Sequence, residues 1–413
     1  MKKKFGVAVL GLVTAISLAA CTIDGEPIGN QNNSDLNQVV STPITGGEVT
    51  TPIVDEPAID DVISDIDIEP EAGIPIIKSR DVVNGQIQSY LTGEWTDVEI
   101  ANRRPMAVMV PDNKAALPQY GISKASLIYE APMEALSCTR LMCVFEDYDS
   151  LDHIGPVRSS RLYFVEQAMS LDAIYCHWGL AVPYVGPVIN TDRVDNISQA
   201  VSGIDDPSAE AFDRDEARKA AGYALEFTGI MTISGYNQAV QRHGYLTTRR
   251  DNYEPTFLFA QDGYTSSYEN MPNATTIAPG GMEAATADGG YGSARPYFVY
   301  NPADHLYYRY QYGARHIDEM TGEQLTCTNV IFKIVDWAVL DEHGYLVILT
   351  QGSGACYTFT NGKIIPGTWE RDKKDNAADH FYDMYGEEVV LNQGKTWVCL
   401  VLDDYADCIY VEE

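Results

Sequence analysis

Positive charge is scarce in this 413-residue chain: 28 Lys and Arg stand against 59 Asp and Glu, a formal charge of −31. So acidic a surface repels phosphate backbones, which excludes nucleic acid and disfavours anionic lipid headgroups as the main partner. Metal-ligand spacing of Cys and His is missing, as is any C-x-x-C pair, so neither a metal site nor a dithiol centre is expected, and no cofactor motif takes their place. The patterns G-x-S-x-G, H-E-x-x-H and G-x-x-x-x-G-K-[ST] are all absent, which removes the motifs of three common hydrolytic and phosphoryl-transfer chemistries. Beyond the N-terminus no apolar run approaches membrane-spanning length. Residues 22–77 lack Lys, Arg and aromatic side chains entirely, while Pro27, Pro43, Pro52, Pro57, Pro70 and Pro75 interrupt a run of acids. A segment of that composition cannot bury enough surface to offset its ordering entropy. Residues 22–80 therefore read as an acidic disordered tether, with a reach of about 40 Å for a coil of roughly 55 residues.

What the N-terminus does contain is a signal. Lys2, Lys3 and Lys4 precede an apolar stretch from Phe5 to Leu18, and Leu18-Ala19-Ala20-Cys21 closes it. A cysteine directly after small residues is where a lipoprotein signal is cut and the thiol receives its lipid. Residues 1–21 are thus expected to be a lipoprotein signal peptide, with Cys21 as the lipidation site. The mature chain would then sit on the outer face of the cell membrane, partnered to it through the anchor. Seven cysteines remain, an odd number at irregular spacing, which is no disulfide framework; a Cys399–Cys408 pair stays open.

Two folded segments follow. In residues 81–248 short apolar runs alternate with helical patterns: strands at Met106–Val110, Ala125–Glu130, Leu141–Glu146 and Ala173–Trp178, a helix from a Ser159 or Ser160 cap to about Ser170, and helical patterns over Ala209–Phe227 and Ser234–His243. Strands alternating with helices predict a layered α/β domain. Residues 255–413 change character. Strand-like runs at Phe257–Ala260, Tyr297–Tyr300, Leu306–Tyr312, Asn329–Val335, Tyr345–Thr350, Ala355–Thr360 and Lys395–Val401, with turn signals at Thr321-Gly322 and Asn361-Gly362, predict a mostly antiparallel all-β domain, a sandwich or barrel.

Arg104-Pro105-Met106-Ala107-Val108-Met109, Pro118-Gln119-Tyr120-Gly121, Ile128-Tyr129-Glu130, Glu134 with Thr139-Arg140, and above all Ile154-Gly155-Pro156-Val157-Arg158-Ser159-Ser160-Arg161 resemble the YerB family of bacterial lipoproteins (DUF3048). Asn329-Val330-Ile331, Gly367-Thr368-Trp369 and Gly394-Lys395-Thr396-Trp397 are similar to that family's C-terminal domain. The resemblance implies a two-domain extracytoplasmic lipoprotein and carries no reaction with it. Where the family pattern leads one to expect a Pro-His-Asn-like stretch, this chain has Arg218-Lys219-Ala220-Ala221-Gly222-Tyr223, which puts a histidine-dependent role there in doubt.

Arg158 and Arg161 flank a helix start, where a cation is misplaced unless a negative group lies opposite. Two readings supply one. Either Glu130, Glu134 or Asp112 braces the arginines, or these carboxylates line a cleft in which Arg158, Arg161, Ser159 and Arg140 hold an anionic ligand through guanidinium forks. His177 ends a strand beside Trp178 and, with Glu130, His153 and Ser159, forms a weaker candidate acid–base set. Tyr308, Tyr310 and Tyr312 share one strand face in the reading and form a candidate glycan-stacking row, with Arg309 and Gln311 on the other face. The leading expectation is a non-catalytic binding or regulatory lipoprotein whose partner is an envelope protein or cell-wall polymer. The alternative is a peptidoglycan hydrolase or transferase with a carboxylate/Arg/His cleft in the first domain; small-solute capture for a transporter is a third.

Overall fold

Largely apolar runs belong in the middle of a sheet covered on both faces, and five such runs form the centre of this fold. The computed structural model describes residues 73–199, 209–282 and 289–413; the signal, Cys21 and the tether up to residue 72 lie outside them. The strands that position the site are β1 (Met106–Pro111), β2 (Leu127–Pro132), β3 (Thr139–Phe145), β4 (Ile174–His177), β5 (Asn196–Ser198), β6 (Thr276–Ala278), β7 (Tyr297–Asn301), β8 (Leu306–Gln311), β9 (Asn329–Val335), β10 (Gly352–Thr360), β11 (Lys363–Arg371), β12 (His380–Asp383), β13 (Thr396–Leu402) and β14 (Tyr410–Glu412). Every residue of β1, β2, β3, β9 and β13 is buried.

Ten of these strands make one sheet in the order β12-β11-β10-β9-β13-β2-β3-β1-β4-β5. β13 lies between β9 and β2 and runs parallel to both, with Val398 opposite Ile331 on one side and Tyr129 on the other. The two sequence segments therefore share one sheet, and the second does not close into a sandwich or barrel of its own. Its contribution is mostly antiparallel: β9 to β12 extend the sheet, and β6, β7, β8 and β14 form a smaller antiparallel sheet.

Helix α1 (Leu162–Ser170) and helix α2 (Val182–Ile189) contribute Phe164, Val165, Ala168, Val185 and Ile189 to the core on one face of the large sheet. The core on the other face takes Ile277, Phe298 and Tyr307 from the smaller sheet and Tyr236, Ala239 and Val240 from helix α3 (Ile233–His243). Among the described residues no helix is long and apolar enough to cross a membrane.

Several local expectations change. Residues 209–227 are not one helix: short 3-10 turns at Ala209–Ala211 and Leu225–Phe227 flank Phe212–Arg214, which pairs as a strand with Gly229–Thr232, and the α-helix Glu216–Ala220, capped by Asp215 and ended before Gly222 at φ +86°. The run Asp213-Arg214-Asp215 offers a helix no face to bury. Helix α2 is hidden in the sequence by Pro183, Gly186 and Pro187: Pro183 suits the first turn, whereas Gly186 and Pro187 lie inside the helix, where such residues usually break one. Neither Ser159 nor Ser160 caps α1; Arg161 stands at its N-cap without a side-chain capping bond. Residues 74–80, assigned to the tether, lie on the body: Ile74 and Ile77 pack on the core, the Ile77 amide donates to Phe259, and Arg80 stacks 3.4 Å from the Tyr90 ring centre. Cys399 and Cys408 are unpaired, as are the other five described cysteines.

Candidate functional site

Side chains alternate across a strand, and that alternation divides the sequence-derived candidates between the two faces of the large sheet. In the β2–β3 register Glu130 stands opposite Leu141 and Ala131 opposite Arg140. Leu141 belongs to the core beneath the smaller sheet, and Ala131 to the core beneath α1 and α2. Glu130, Asp112 and Thr139 thus face one way, and Arg140 and His177 the other.

On the first face the acids are fully buried and already partnered. Glu130 Oε2 accepts from Arg309 Nη2 at 2.7 Å and from Trp397 Nε1 at 3.0 Å, and its Oε1 lies 2.9 Å from Thr139 Oγ1. Asp112 accepts from Gln119 Nε2 at 3.0 Å, sits 3.0 Å from the same Thr139 hydroxyl, and is 3.9 Å from Arg309. The Arg309 guanidinium packs against the rings of Trp397 and Phe298, at 4.7 and 4.9 Å from their centres. Burial, reinforced by the neighbouring Glu130, pushes the Asp112 carboxyl up to about 7. Glu130 and Asp112 therefore serve Arg309, in place of the expected brace for Arg158 and Arg161; in the sequence Arg309 stands out only as the far side of a tyrosine row.

On the second face the arginines gather at the start of α1. Arg140 Nη1 donates to the Ser159 carbonyl at 2.8 Å, Arg158 Nη2 to Glu226 Oε2 at 2.9 Å, and Arg161 pairs with Glu134 while donating to the Ser160 carbonyl at 2.7 Å. Arg214, which the sequence does not single out, lies over the Trp178 ring at 4.1 Å and feels the charge of Arg158. Burial, then Arg161 and Arg158, lower Arg140 to about 10. Burial first, opposed by Glu226, lowers Arg158. The Nε–H groups of both Arg140 and Arg158 are buried without a hydrogen-bond partner. Among the described residues no carboxylate bonds to Arg140, which is only 4% exposed. Ser159 is half-buried and its hydroxyl donates to the Trp178 carbonyl at 3.2 Å. Gly179, at φ +91°, keeps this corner tight, since a Cβ there would lie 2.6 Å from Ser159 Oγ.

Glu134 is carried by a turn in which Ala135 and Leu136 take φ +54° and +52°, a left-handed conformation costly for residues with a side chain. The arrangement is a local excess of buried cationic donors at the N-terminal end of a helix, in an otherwise acidic chain. It can hold an anionic oxygen group.

The weaker acid–base set is not assembled. His177 is fully buried on the face opposite Glu130, its Nδ1 is 2.8 Å from the Gly179 carbonyl oxygen, and burial drives it down to about 4, so the ring is neutral at ordinary pH. His153 is elsewhere, stacked on Tyr120 at 3.9 Å and 3.0 Å from Asp152. The tyrosine row holds only in part. Tyr308 and Tyr310 share the half-exposed face of β8, where Tyr308 donates to Asp304 at 2.6 Å and Tyr310 stacks on Tyr297 at 4.8 Å. Tyr312 lies beyond the strand at φ +51° and donates to the Asp112 carbonyl at 2.7 Å, so it does not continue the face of Tyr308 and Tyr310.

Residues 91–243 match the model of the DUF3048 N-terminal domain and residues 287–398 that of the DUF3048 C-terminal domain, both described as of unknown function. A protein of Bacillus subtilis (strain 168), provisionally named lipoprotein YerB, is 24% identical over 318 residues, 77% of this chain and 87% of its own length. The crystal structure of the YerB protein from Bacillus subtilis superimposes with a TM-score of 0.65 at 22% identity, covering 79% of this chain and 99% of that one. That likeness concerns the fold.

Proposed function

From a chain that belongs to the DUF3048 family by both of that family's domains, we propose a non-catalytic, lipid-anchored binding protein of the cell envelope that captures an anionic group at the Arg140/Arg158/Arg161 corner. The anchor is Cys21 behind its signal, and the name borne by the Bacillus subtilis relative supports it. The acidic composition of the segment after Cys21 and the anchor itself support a place for the body on the outer face of the membrane, among envelope proteins and polymers. The observation that carries the binding reading is the unpartnered, buried Nε–H of Arg140 within a group of guanidinium charges at a helix start. Glu134 and Glu226 offset only part of the charge of the three arginines, burying an unpaired cation is expensive, and an incoming carboxylate or phosphate would supply the remaining charge and the missing acceptor. Helix N-termini favour the same kind of guest.

The test is thermal unfolding of the full chain in phosphate or sulfate against chloride at matched ionic strength. An anion at about ten times its Kd stabilises the folded state by about 1.4 kcal/mol. Wild type should show that increment, and Arg158→Gln and Arg140→Lys should lose most of it while staying folded. Equal melting of wild type in all three salts would end the proposal.

A further inference from the structure

We propose that a second, separate site binds a neutral glycan segment in the hollow between the 261–265 loop, the turn at Asp304–Leu306 and the loop at Asn392–Gln393. The hollow encloses about 490 Å³, within the range of small-ligand pockets. Its charged lining is Glu94, Asp262 and Asp304, with His305 and without Lys or Arg. An anion would meet only repulsion here. Among the described residues no three His, Cys, Asp or Glu side chains converge to hold a metal ion. The carboxylates of Asp262 and Asp304 already accept hydrogen bonds from Trp95, Gln393, Gln88, Tyr308 and Leu306 and are not left open for an organic cation, which favours an uncharged ligand rich in hydroxyl or amide groups.

The polar groups are fixed before any ligand arrives. Asp262 accepts from Trp95 Nε1 at 2.6 Å, Gln393 Nε2 at 2.9 Å and Gln88 Nε2 at 3.2 Å. Asp304 accepts from the Tyr308 hydroxyl at 2.6 Å and the Leu306 amide at 3.2 Å. Asn361 Oδ1 lies 3.2 Å from the Tyr300 hydroxyl and 3.0 Å from His305 Nδ1. Planar carboxylate and carboxamide groups held this way can bridge neighbouring hydroxyls without losing further rotamer freedom. Tyr264, 56% exposed, lines the hollow, and Trp95, 37% exposed, is tied to it through Asp262. Each leaves an apolar ring in water that a sugar's C–H face would cover, and amphipathic rings suit that role. Tyr308 thus belongs to this site through Asp304, supporting its wall, and its part is not stacking in a row with Tyr310 and Tyr312.

The probe is the N-acetylglucosamine trimer, titrated into the full-length chain and followed by tryptophan emission and by melting temperature. Saturable change in both is expected. Tyr264→Ala, whose exposed ring contributes little to folding, should keep the wild-type melting temperature without sugar and weaken binding about tenfold, a loss of about 1.4 kcal/mol. Gln393→Ala should weaken it as well, while Arg158→Gln leaves it unchanged, which separates this site from the arginine corner. No change in emission or melting at millimolar trimer, or an identical titration in Tyr264→Ala and Gln393→Ala, would overturn the proposal.

Discussion

Replacing Asp112 by Asn should make the protein's stability less dependent on pH, and should not weaken it in mild alkali. Thr139 Oγ1 lies 3.0 Å from Asp112 and 2.9 Å from Glu130, yet a hydroxyl has one proton to give. With both acids ionised, one of the two short contacts would set oxygen against oxygen. A protonated Asp112 resolves this by donating to Thr139, which donates to Glu130, which in turn pairs with Arg309. The carboxyl is accordingly raised from 3.8 to about 7, through burial first and Glu130 second. A carboxyl raised in the folded state binds its proton more tightly there than in the unfolded chain. Its contribution is complete below the unfolded value and is lost as pH rises through the folded one. Between about pH 5 and about pH 8 that loss amounts to at most about 3 kcal/mol. The carboxamide of Asp112→Asn would keep the geometry, its Oδ1 accepting from Gln119 and its Nδ2 donating to Thr139, with nothing to titrate. Urea unfolding of wild type and Asp112→Asn at both pH values should show a shallower pH dependence in the variant and equal or greater stability at the upper one. A variant weaker than wild type by more than about 2 kcal/mol there would mean that Asp112 is ionised as a second counter-ion of Arg309, and the proton-sharing argument would be wrong.

Lys333 and Asp379 form a second buried pair at 2.7 Å, both fully enclosed, with the ammonium lowered to about 8 chiefly by burial. Asp379→Ala strands that charge and should cost about 3–5 kcal/mol in urea unfolding, while the double change Lys333→Met with Asp379→Ala should recover much of it; equal losses in both variants would refute the pair's role. Of the seven described cysteines six are buried and Cys408 is half-exposed. Among these seven, a thiol-reactive dye should therefore label Cys408 quickly in the folded protein and the other six only on unfolding, as mass spectrometry of the labelled peptides would show.

The strands easiest to read are those with the simplest requirement. Met106–Pro111, Thr139–Phe145 and Asn329–Val335 are buried on both faces, and their largely apolar runs fit only a covered strand. The site residues are harder, because their types are legible but their directions depend on register. Once Ala131 is opposite Arg140, period-two alternation puts Glu130 on the far face, a step that composition cannot supply. Arg309 gives no apolar signal and meets Glu130 across 179 residues of sequence. Helix α2 is concealed by two prolines, and Tyr312 leaves its strand through a left-handed turn that only the neighbouring Gly313 hints at. Trp178 and Arg214 come together through the strand at Phe212–Arg214, three residues inside a longer stretch whose pattern reads as helical.

The position of β13 has a consequence for how the chain must be made. Residues 396–402 are made after both β2 and β9, yet they occupy the middle of the large sheet, between those two strands. Until they arrive, β2 and β9 each present an unpaired, apolar edge, the kind that recruits other chains into aggregates. Contacts of such long sequence separation form slowly, so the chain passes through a period in which β2 and β9 have been made and the seam between them is still open. A lipid that fixes the first mature residue to the bilayer would keep the unfinished chains apart during that interval. A fragment ending near residue 250 would never leave it.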